Sequence, residues 1–513
     1  MVFGANSTEA HPIIGLKIME AAQAGAKLIV VDPRLTDLAR RADLWLPLKP
    51  GTNVPLVNGM LHVIFKENLY DEDFIAERTE GFEGLKKYIL EEFPLDRVEA
   101  ITRVPKEKII EAARLFATAE RSMILYGLGV AEHKGGTEGV IALADLVLAT
   151  GQVGREGAGI NPLRGQHNVQ GACDMGCLPY VLPGYQSPAD PVAIKKFEEL
   201  WGVAPPTEKG LMEPQMYQAA LKGDLKALYI IGYDPAQTGG NAGCIREALK
   251  SLKLLIVQDI FLSETAKLAH VVLPGACVFE KEGTYTNGER RVRRFFKAVD
   301  PPGEALPDWQ IVCRLAQAMG YPMKYDHPGQ IMDEISRLAP PFKGISYQTL
   351  GPEGLHWPCP EPGRPGIARM HTESFPRGRA KFVPANYVPS EELPDRDYPF
   401  ILITGRRLVH FNNGSMTRRA EGFEIIGPEE LLEMNPQDAQ ALGIRDGQMV
   451  RVSSRRGKIK VRVKVTDKSQ PGCVFMAFHH PETPVNLLTS PGVDTKTMTP
   501  EYKVCAVRVE PLP

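Results

Sequence analysis

The sequence predicts an α/β fold of two pseudo-symmetric, doubly wound parallel-sheet domains followed by a small closed β-barrel. Three observations predict it. An internal repeat pairs residues 27–47, KLIVVDPRLTDLARRADLWLP, with residues 253–274, KLLIVQDIFLSETAKLAHVVLP. Continuous Ile/Leu/Val strands alternate with helical stretches in both copies, the pattern of a parallel sheet covered on both faces. From residue 398 onward the pattern changes to alternating strands separated by tight turns, as in small barrels.

Length and composition set the frame. At 513 residues the chain exceeds single-domain size, so three or more lobes with separate cores are expected. Segments 1–165 and 166–279 are read as the two nucleotide-binding domains, the first of them incomplete at its start. Residues 280–395, rich in proline and glycine, are read as irregular connecting structure, and 396–513 as the barrel. A net charge of −2 argues against nucleic acid as a partner, which would demand a strong basic excess. No apolar run reaches the roughly 18 residues of a membrane helix and no secretory leader opens the chain, so a cytoplasmic location is expected. Eight cysteines are sparse and scattered, as in a reduced protein with unpaired buried thiols. Cys173 and Cys177, the one close pair, lack the second pair of a zinc or iron–sulfur site and are read as packing; no metal ligand is assigned in this chain.

The elements follow in order. Met1-Val2-Phe3-Gly4-Ala5-Asn6 reads as the end of a strand entering a turn, a beginning in mid-domain. Aligned on Asp32 and Asp259, the two copies share an apolar strand, the Asp, a hydroxyl residue (Thr36, Ser263), alanines (Ala39/Ala266, Ala42/Ala269) and a second strand ending Leu-Pro. Upstream, each copy has a strand and then Gly-x-(Asn/Asp): Gly4-Ala5-Asn6 and Gly232-Tyr233-Asp234. Ligands of such sheets lie at the carboxyl ends of the strands. There a glycine lets a phosphate approach the backbone and the following helix favours its charge. A carboxylate at the end of the next strand can accept hydrogen bonds from a ribose or from the donor edge of guanine. One such copy could equally be an ordinary βαβ unit with polar turns; two matching copies favour binding of two nucleotides, or of one large ligand with two nucleotide arms. Helical stretches at 105–118 and 136–150 flank the strand Met123-Ile124-Leu125-Tyr126, whose Gly127-Leu128-Gly129 turn is a further phosphate contact of weak specificity. Short helices are expected at 308–319 and 329–338, and barrel strands at 400–403, 449–452, 459–465 and 474–477, with turns at Asp446-Gly447 and Arg456-Gly457.

The segment with chemistry is 161–176, NPLRGQHNVQGACDMG. Such a polar loop is costly to bury unless its donors are satisfied. An exposed loop is the plain alternative, but the segment lies in sequence between the two nucleotide lobes, where their clefts are expected to meet. Arg164 is the residue best suited to an anion, because its planar fork matches a carboxylate and stays charged. Gln166, Asn168 and Gln170 can serve a ligand edge or order water.

The string Arg164-Gly165-Gln166-His167-Asn168-Val169-Gln170-Gly171-Ala172-Cys173-Asp174-Met175-Gly176 resembles the active-site arginine segment of formate dehydrogenase catalytic subunits, in the molybdopterin oxidoreductase family. The likeness runs over essentially the whole chain. It includes Gly232-Tyr233-Asp234-Pro235, Val257-Gln258-Asp259-Ile260-Phe261, Glu282-Gly283-Thr284-Tyr285-Thr286-Asn287, Asp308-Trp309-Gln310, Asn435-Pro436-x-Asp438 and Pro500-Glu501-Tyr502-Lys503. The resemblance implies a molybdenum or tungsten centre on two molybdopterin guanine dinucleotides, formate and carbon dioxide as substrate pair, and a C-terminal barrel of the double-psi type capping the pterins. Carried over by position, one dinucleotide would meet Phe3, Gly4, Asn6, Asp32 and the Lys49-Pro50-Gly51-Thr52-Asn53 turn. The other would meet Leu128, Gly129, Glu132, Asp234, Thr238, Gln258, Asp259 and Asp308. The barrel would add Arg406, Leu408, His410, Asn486, Tyr502 and Lys503. Arg164 would orient formate and Gln166 would sit near the pterin.

Departures temper the likeness. His167 and Gly275 differ in type from what the resemblance leads one to expect. The family's metal ligand (Cys or selenocysteine), the cysteines of its 4Fe–4S cluster and the lysine between cluster and pterin all lie upstream of the strand-Gly-x-Asn turn, and so would precede Met1. On that reading the chain alone is expected to be inactive and to need an N-terminal iron–sulfur segment and electron-transfer subunits. A selenocysteine codon taken as a stop would account for the start; an in-frame UGA followed by a His codon upstream is the check. Two other functions fit the same residues: reduction of another oxyanion such as nitrate, and a structural subunit that keeps the fold without cofactor. Smaller features get plain readings. His479-His480 is given a surface or cofactor-edge role, Arg290-Arg291-Val292-Arg293-Arg294 a solvated face or a contact with the cluster lobe, and Arg455-Arg456-Gly457-Lys458 a hairpin turn.

Overall fold

The computed structural model describes residues 1–512 and divides the chain into two compact units. One comprises Met1–Leu163, Pro235–Arg246 and His371–Pro513; the other comprises Arg164–Asp234 and Glu247–Met370. The four consecutive segments expected from sequence therefore interleave. The C-terminal barrel shares a unit with the first sheet, and most of the expected connecting segment belongs with the second.

In the first unit, β1 (Val2–Phe3), β2 (Ile29–Val31), β3 (Leu44–Leu46), β4 (Met123–Tyr126) and β5 (Gly159–Pro162) form one parallel sheet in the order β3-β2-β1-β4-β5. Strand order reverses between β1 and β4, which opens a crevice at their carboxyl ends. Helix Asn53–Lys66 is buried along nearly its whole length because it packs beneath helices Lys106–Thr118 and Gly136–Ala149, and its Leu56, Met60, Leu61 and Ile64 are fully enclosed. Most of its circumference is apolar, as a central helix needs, and its buried Asn58 donates to Ala385 O at 3.2 Å.

One carboxyl group in this core is out of keeping with it. Asp145 on helix Gly136–Ala149 is 2% exposed, and its Oδ1 accepts only the Val383 N–H at 3.3 Å. Burial pushes its pKa from the ordinary 3.8 to about 8. The folded chain thus keeps this proton where the unfolded chain has released it, so stability falls as pH rises from near 4 to near 8. At about 1.4 kcal/mol per unit, the loss between pH 4 and 7 is on the order of 4 kcal/mol. Asp145→Asn should melt like the wild type near pH 4 and well above it at pH 8; parallel melting curves across that range would refute the assignment.

The second unit holds the other copy of the repeat. β6 (Ala227–Ile231), β7 (Leu254–Asp259) and β8 (Val271–Pro274) run parallel in that order. The match to β1, β2 and β3 extends to single hydrogen bonds. Gly4 N–H donates to Val31 O at 2.8 Å, and Gly232 N–H donates to Gln258 O at 2.8 Å. Thr36 Oγ1 accepts the Ala39 N–H at 3.2 Å, and Ser263 Oγ accepts the Ala266 N–H at 3.3 Å. The repeated hydroxyl accepts the N–H three residues on in both places, as the N-cap of helix Asp37–Arg41 in the first copy and in the turn before the short helix Ala266–Leu268 in the second. β9 (Gly283–Thr286), β10 (Arg291–Phe295) and β11 (Leu355–His356) make an antiparallel sheet over a core that includes Phe342, Trp357 and Cys359, so this stretch is more than connecting structure. The basic run on β10 is not simply a solvated face. Arg290 donates to the carbonyls of Trp357, Ile367 and Ala368, Arg291 to that of Glu353, and Arg294 lies 4.2 Å over the Tyr347 ring.

The barrel, in the first unit, closes six strands: β12 (Phe400–Gly405), β13 (Leu431–Met434), β14 (Met449–Ser453), β15 (Lys458–Val465), β16 (Cys473–Ala477) and β17 (Cys505–Pro511). β12 pairs parallel with β16 and β13 with β15; the other four contacts are antiparallel. β15 alternates buried and exposed residues, the period-2 signature of a strand with one face inward. β13 and β17 went unread in the sequence. Among the described residues no helix is long and apolar enough to cross a membrane.

Candidate functional site

In the first unit, the crevice between β1 and β4 is built by two turns that meet backbone to backbone. Gly4 has φ +56°, and a Cβ there would stand 2.7 Å from Gly129 C and 2.9 Å from Gly129 Cα. Gly129 N–H donates to Gly4 O at 3.0 Å, and Gly127 N–H donates to Phe3 O at 3.1 Å. Asn53 Nδ2 donates to Gly129 O at 3.1 Å, which ties the Lys49–Asn53 turn to the same place. His133 Nε2 lies 2.9 Å from that carbonyl, so Nε2 carries the proton. Burial lowers the His133 pKa to about 4, which keeps the ring neutral. Phe3 enters only through its main chain, because its ring is fully buried in the core.

Charged groups ring this crevice. Asp32, at the end of β2, is 8% exposed; it accepts the Arg34 N–H at 2.8 Å, and burial pushes its pKa up to about 6 against the pull of Arg34 and Lys503. Arg34 pairs with Glu433 on β13 at 2.6 Å and lies 3.5 Å over the Phe475 ring. Lys503 bridges Glu132 at 2.6 Å and donates to Thr404 O at 2.9 Å. Asn486 Nδ2 donates to Thr238 O at 2.9 Å, and Tyr502 OH to the same carbonyl at 3.1 Å. Asn6 Oδ1 accepts the Thr8 hydroxyl at 3.1 Å. Gly51 packs on Val504, while Leu128 and Leu408 stand exposed.

A guanine dinucleotide presents a diphosphate and a base edge of N–H donors, and the residues here fit it. Arg406 is a largely buried cation that no carboxylate bridges among the described residues, and burial lowers its pKa. Asn486 Oδ1 is a buried acceptor with no donor among the described residues. The buried Asp32 carboxylate accepts one bond among the described residues, from the Arg34 N–H. A cation without an anion and acceptors with few or no donors complement that ligand.

His410 does not turn a free ring toward any ligand. Its Nε2 lies 2.7 Å from Gly427 O and its Nδ1 3.2 Å from Thr417 Oγ1. His479 and His480 follow β16 rather than lying on a strand and are 1% and 5% exposed, so a surface role is ruled out. His410, Glu424 and His480 bring ligand atoms within 4.8 Å of one another, but His480 Nε2 also faces Gly427 O, and Glu424 accepts from Arg418. A cavity of about 260 Å³ lined by Lys49, Arg103, Gln470 and Cys473 opens at the starts of β12 and β16, the strand ends opposite Arg406.

In the second unit, Gly232 repeats the Gly4 conformation at φ +60° with open space around it. Several residues expected on a ligand are engaged with protein instead. Asp234 accepts the Thr265 N–H at 2.8 Å and the Thr265 hydroxyl at 2.6 Å. Gln258 is 1% exposed, accepts the Tyr229 hydroxyl and donates to Asp308 at 2.6 Å, and Asp308 also pairs with Lys281. Their side chains brace the sheet end. Burial raises the Asp259 pKa, with Asp234 adding to it.

The arginine loop forms a short helix, Val169–Asp174. Asn168 accepts the Thr286 N–H at 3.0 Å, and the His167 ring lies tilted against that of Tyr285 with centroids 4.7 Å apart, which anchors the loop to β9. Arg164 is exposed; its Nε donates to Gln170 Oε1 at 3.2 Å, and no carboxylate bridges its guanidinium among the described residues. Gln166 lies half-buried beside it. Cys173 is half-buried and Cys177 exposed rather than packed; all eight cysteines are free thiols. Arg34, Glu433, His133, Asp174 and Tyr185 went unread. Only Arg34 carried a local signal, as the cation two residues after Asp32.

Residues 1–318 match the molybdopterin oxidoreductase family and residues 400–506 match the molydopterin dinucleotide binding domain. The chain is 47% identical over 514 residues to the F420-dependent formate dehydrogenase subunit alpha of Methanocaldococcus jannaschii, covering 99% of this chain and 76% of that one. It is 42% identical to formate dehydrogenase H of Escherichia coli, covering 100% and 72%. Among solved structures it is similar in fold to acetylene hydratase from Pelobacter acetylenicus, with a TM-score of 0.77, 21% identity and coverage of 99% and 77%.

Proposed function

Because the chain belongs to the molybdopterin oxidoreductase family, we propose that it is the catalytic part of a formate dehydrogenase, interconverting formate and carbon dioxide at a molybdenum or tungsten centre carried by two molybdopterin guanine dinucleotides. The observation that carries this reading is the Arg164 guanidinium, exposed and held at Nε, with both Nη groups left without a partner among the described residues. Formate is the smallest carboxylate, and a planar fork of parallel N–H groups grips both its oxygens. That grip fixes where the single C–H bond points, a contribution of position and charge rather than of bond making. Oxidation removes two electrons and one proton from formate, and the pterin-bound metal supplies the electron sink.

The chain's other residues bind. Gly4 and Gly129 let the two turns close on each other and shape the crevice, Arg406 neutralises the diphosphate, and Asp32 accepts from the base edge of one dinucleotide. Gly232 and Asp259 occupy the equivalent places for the other. A 4Fe–4S cluster and electron-transfer subunits take the electrons onward, and this chain's dispersed cysteines do not hold that cluster. The test is a steady-state assay of the cofactor-loaded chain assembled with an N-terminal iron–sulfur segment. Reduction of an artificial one-electron dye should depend on formate, and reduced dye should not be consumed by nitrate. Nitrate turnover without formate turnover would replace this reading with that of an oxyanion reductase.

A further inference from the structure

Gln170, the residue that holds Arg164, is itself held by a fully buried acid. Gln170 Nε2 donates to Asp174 Oδ1 at 2.8 Å and to Tyr185 OH at 3.2 Å. Tyr185 OH in turn donates to Asp174 Oδ1 at 2.8 Å. Gln170 and Asp174 stand four residues apart on helix Val169–Asp174, so they share one face. Asp174 is 0% exposed and Gln170 is 8% exposed. Burial raises the Asp174 pKa, while Gln170, Tyr185 and Trp357 pull it back toward the carboxylate, as does the charge of Arg164. Asp174 Oδ2 and Trp357 Nε1 are both buried without a well-formed bond to any other group.

Resting on the reading of Arg164 as the carboxylate-binding group, we propose that Asp174 is a positioning residue that fixes the Gln170 amide in the one orientation able to hold Arg164. A primary amide has one donor end and one acceptor end. A carboxylate oxygen takes only the donor end, so Asp174 draws Nε2 inward and turns Oε1 toward Arg164. With the amide reversed, Oε1 would face a carboxylate and Nε2 would face the Arg164 Nε–H. Both contacts would be repulsive, and the guanidinium would lose its anchor. With Oε1 on Nε, the two Nη groups stay free and the plane of the fork is set. Tyr185 closes the arrangement by accepting from Gln170 while donating to Asp174. It does so from a left-handed backbone conformation, φ +61°, that a tyrosine rarely adopts.

Asp174→Asn tests this without changing side-chain volume. An asparagine must aim its own N–H₂ either at the Trp357 indole N–H or at Gln170 and Tyr185, and both choices set donor against donor. In the cofactor-loaded full chain, formate binding measured by calorimetry without electron acceptor should weaken about tenfold, a loss of about 1.4 kcal/mol. KM should rise with it and kcat should fall much less. Adding Trp357→Phe removes the competing donor, lets the introduced asparagine keep its oxygen toward Gln170, and should restore binding toward the wild-type value. A merely structural role predicts the reverse, since the second substitution deletes another buried contact. Should Asp174→Asn fail to fold, Tyr185→Phe carries the test, with formate binding weakened about two- to threefold, a smaller loss because Asp174 still orients the Gln170 amide. Unchanged formate binding in a folded variant, or no rescue by Trp357→Phe, overturns the proposal. Arg164→Ala, measured alongside, separates the failures: if it too binds formate normally, the assignment of Arg164 falls; if it alone loses binding, only the role of Asp174 falls.

Discussion

Arg164→Ala is expected to lower kcat/KM for formate by roughly a thousandfold or more, while the loaded protein keeps its metal and pterin. The fork both binds the carboxylate and aims its C–H bond; misplacing a substrate by about 1 Å alone can cost about a hundredfold, and loss of a paired charge in binding adds to it. Cofactor retention follows from the contacts: the only side-chain bond Arg164 makes among the described residues is to Gln170, so its loss disturbs a loop and not a binding cradle. Arg164→Lys should recover little. An ammonium keeps the charge but has no Nε for Gln170 to hold and no parallel pair of donors for a carboxylate. Steady-state kinetics with metal and pterin analysis of the same samples provide the measurement. Unchanged kcat/KM would remove Arg164 from the reaction, and loss of metal with activity would make it structural.

What could be read from the chain was local. Strand, glycine, acid and hydroxyl recur at fixed offsets in the two copies, and the glycine and hydroxyl offsets each map onto one bond, Gly4 on Val31 and Gly232 on Gln258, Thr36 on Ala39 and Ser263 on Ala266. The barrel strands with tight turns beside them were equally plain. What could not be read was long-range. Glu433 lies 399 residues from Arg34, and nothing near either says that they pair. β13, Leu-Leu-Glu-Met, is four residues long with no alternation, and only closure of the barrel makes it a strand. The resemblance places Gln258 and Asp308 on a ligand, and it says nothing of their partners within this chain. Their partners, Tyr229, Lys281 and each other, come from elements up to 50 residues apart. Asp174 was visible only as one letter in a motif, because burial, not residue type, makes it matter. The division into units was hidden for the same reason: the chain returns to its first unit at Pro235 and again at His371, and composition changes at neither place.

The repeat offers its own control for the crevice, since Gly4 and Gly232 share a backbone conformation and differ in what surrounds it. Their φ angles are +56° and +60°, so an alanine at either meets the same left-handed penalty of about 1 kcal/mol. At Gly232 nothing lies within 4 Å of a Cβ, and that penalty should be the whole cost. At Gly4 the methyl would fall 2.7 Å from Gly129 C, 2.9 Å from Gly129 Cα and 3.0 Å from Val130 N. These are backbone atoms with no rotamer to turn aside, so the two turns must part. Parting them strains the Gly129 N–H to Gly4 O bond and the amide of Asn53 that holds the Gly129 carbonyl. Gly4→Ala should therefore lose about 2 kcal/mol more than Gly232→Ala, within the range seen for overpacked cores. It should also lower the pterin bound per chain, because the widened turn no longer presents the backbone that a phosphate would meet. Chemical denaturation of both variants, with pterin quantified in each, decides the matter. Equal destabilisation would mean that β1 and β4 tolerate separation, and the close approach of their turns would then have no part in building the crevice.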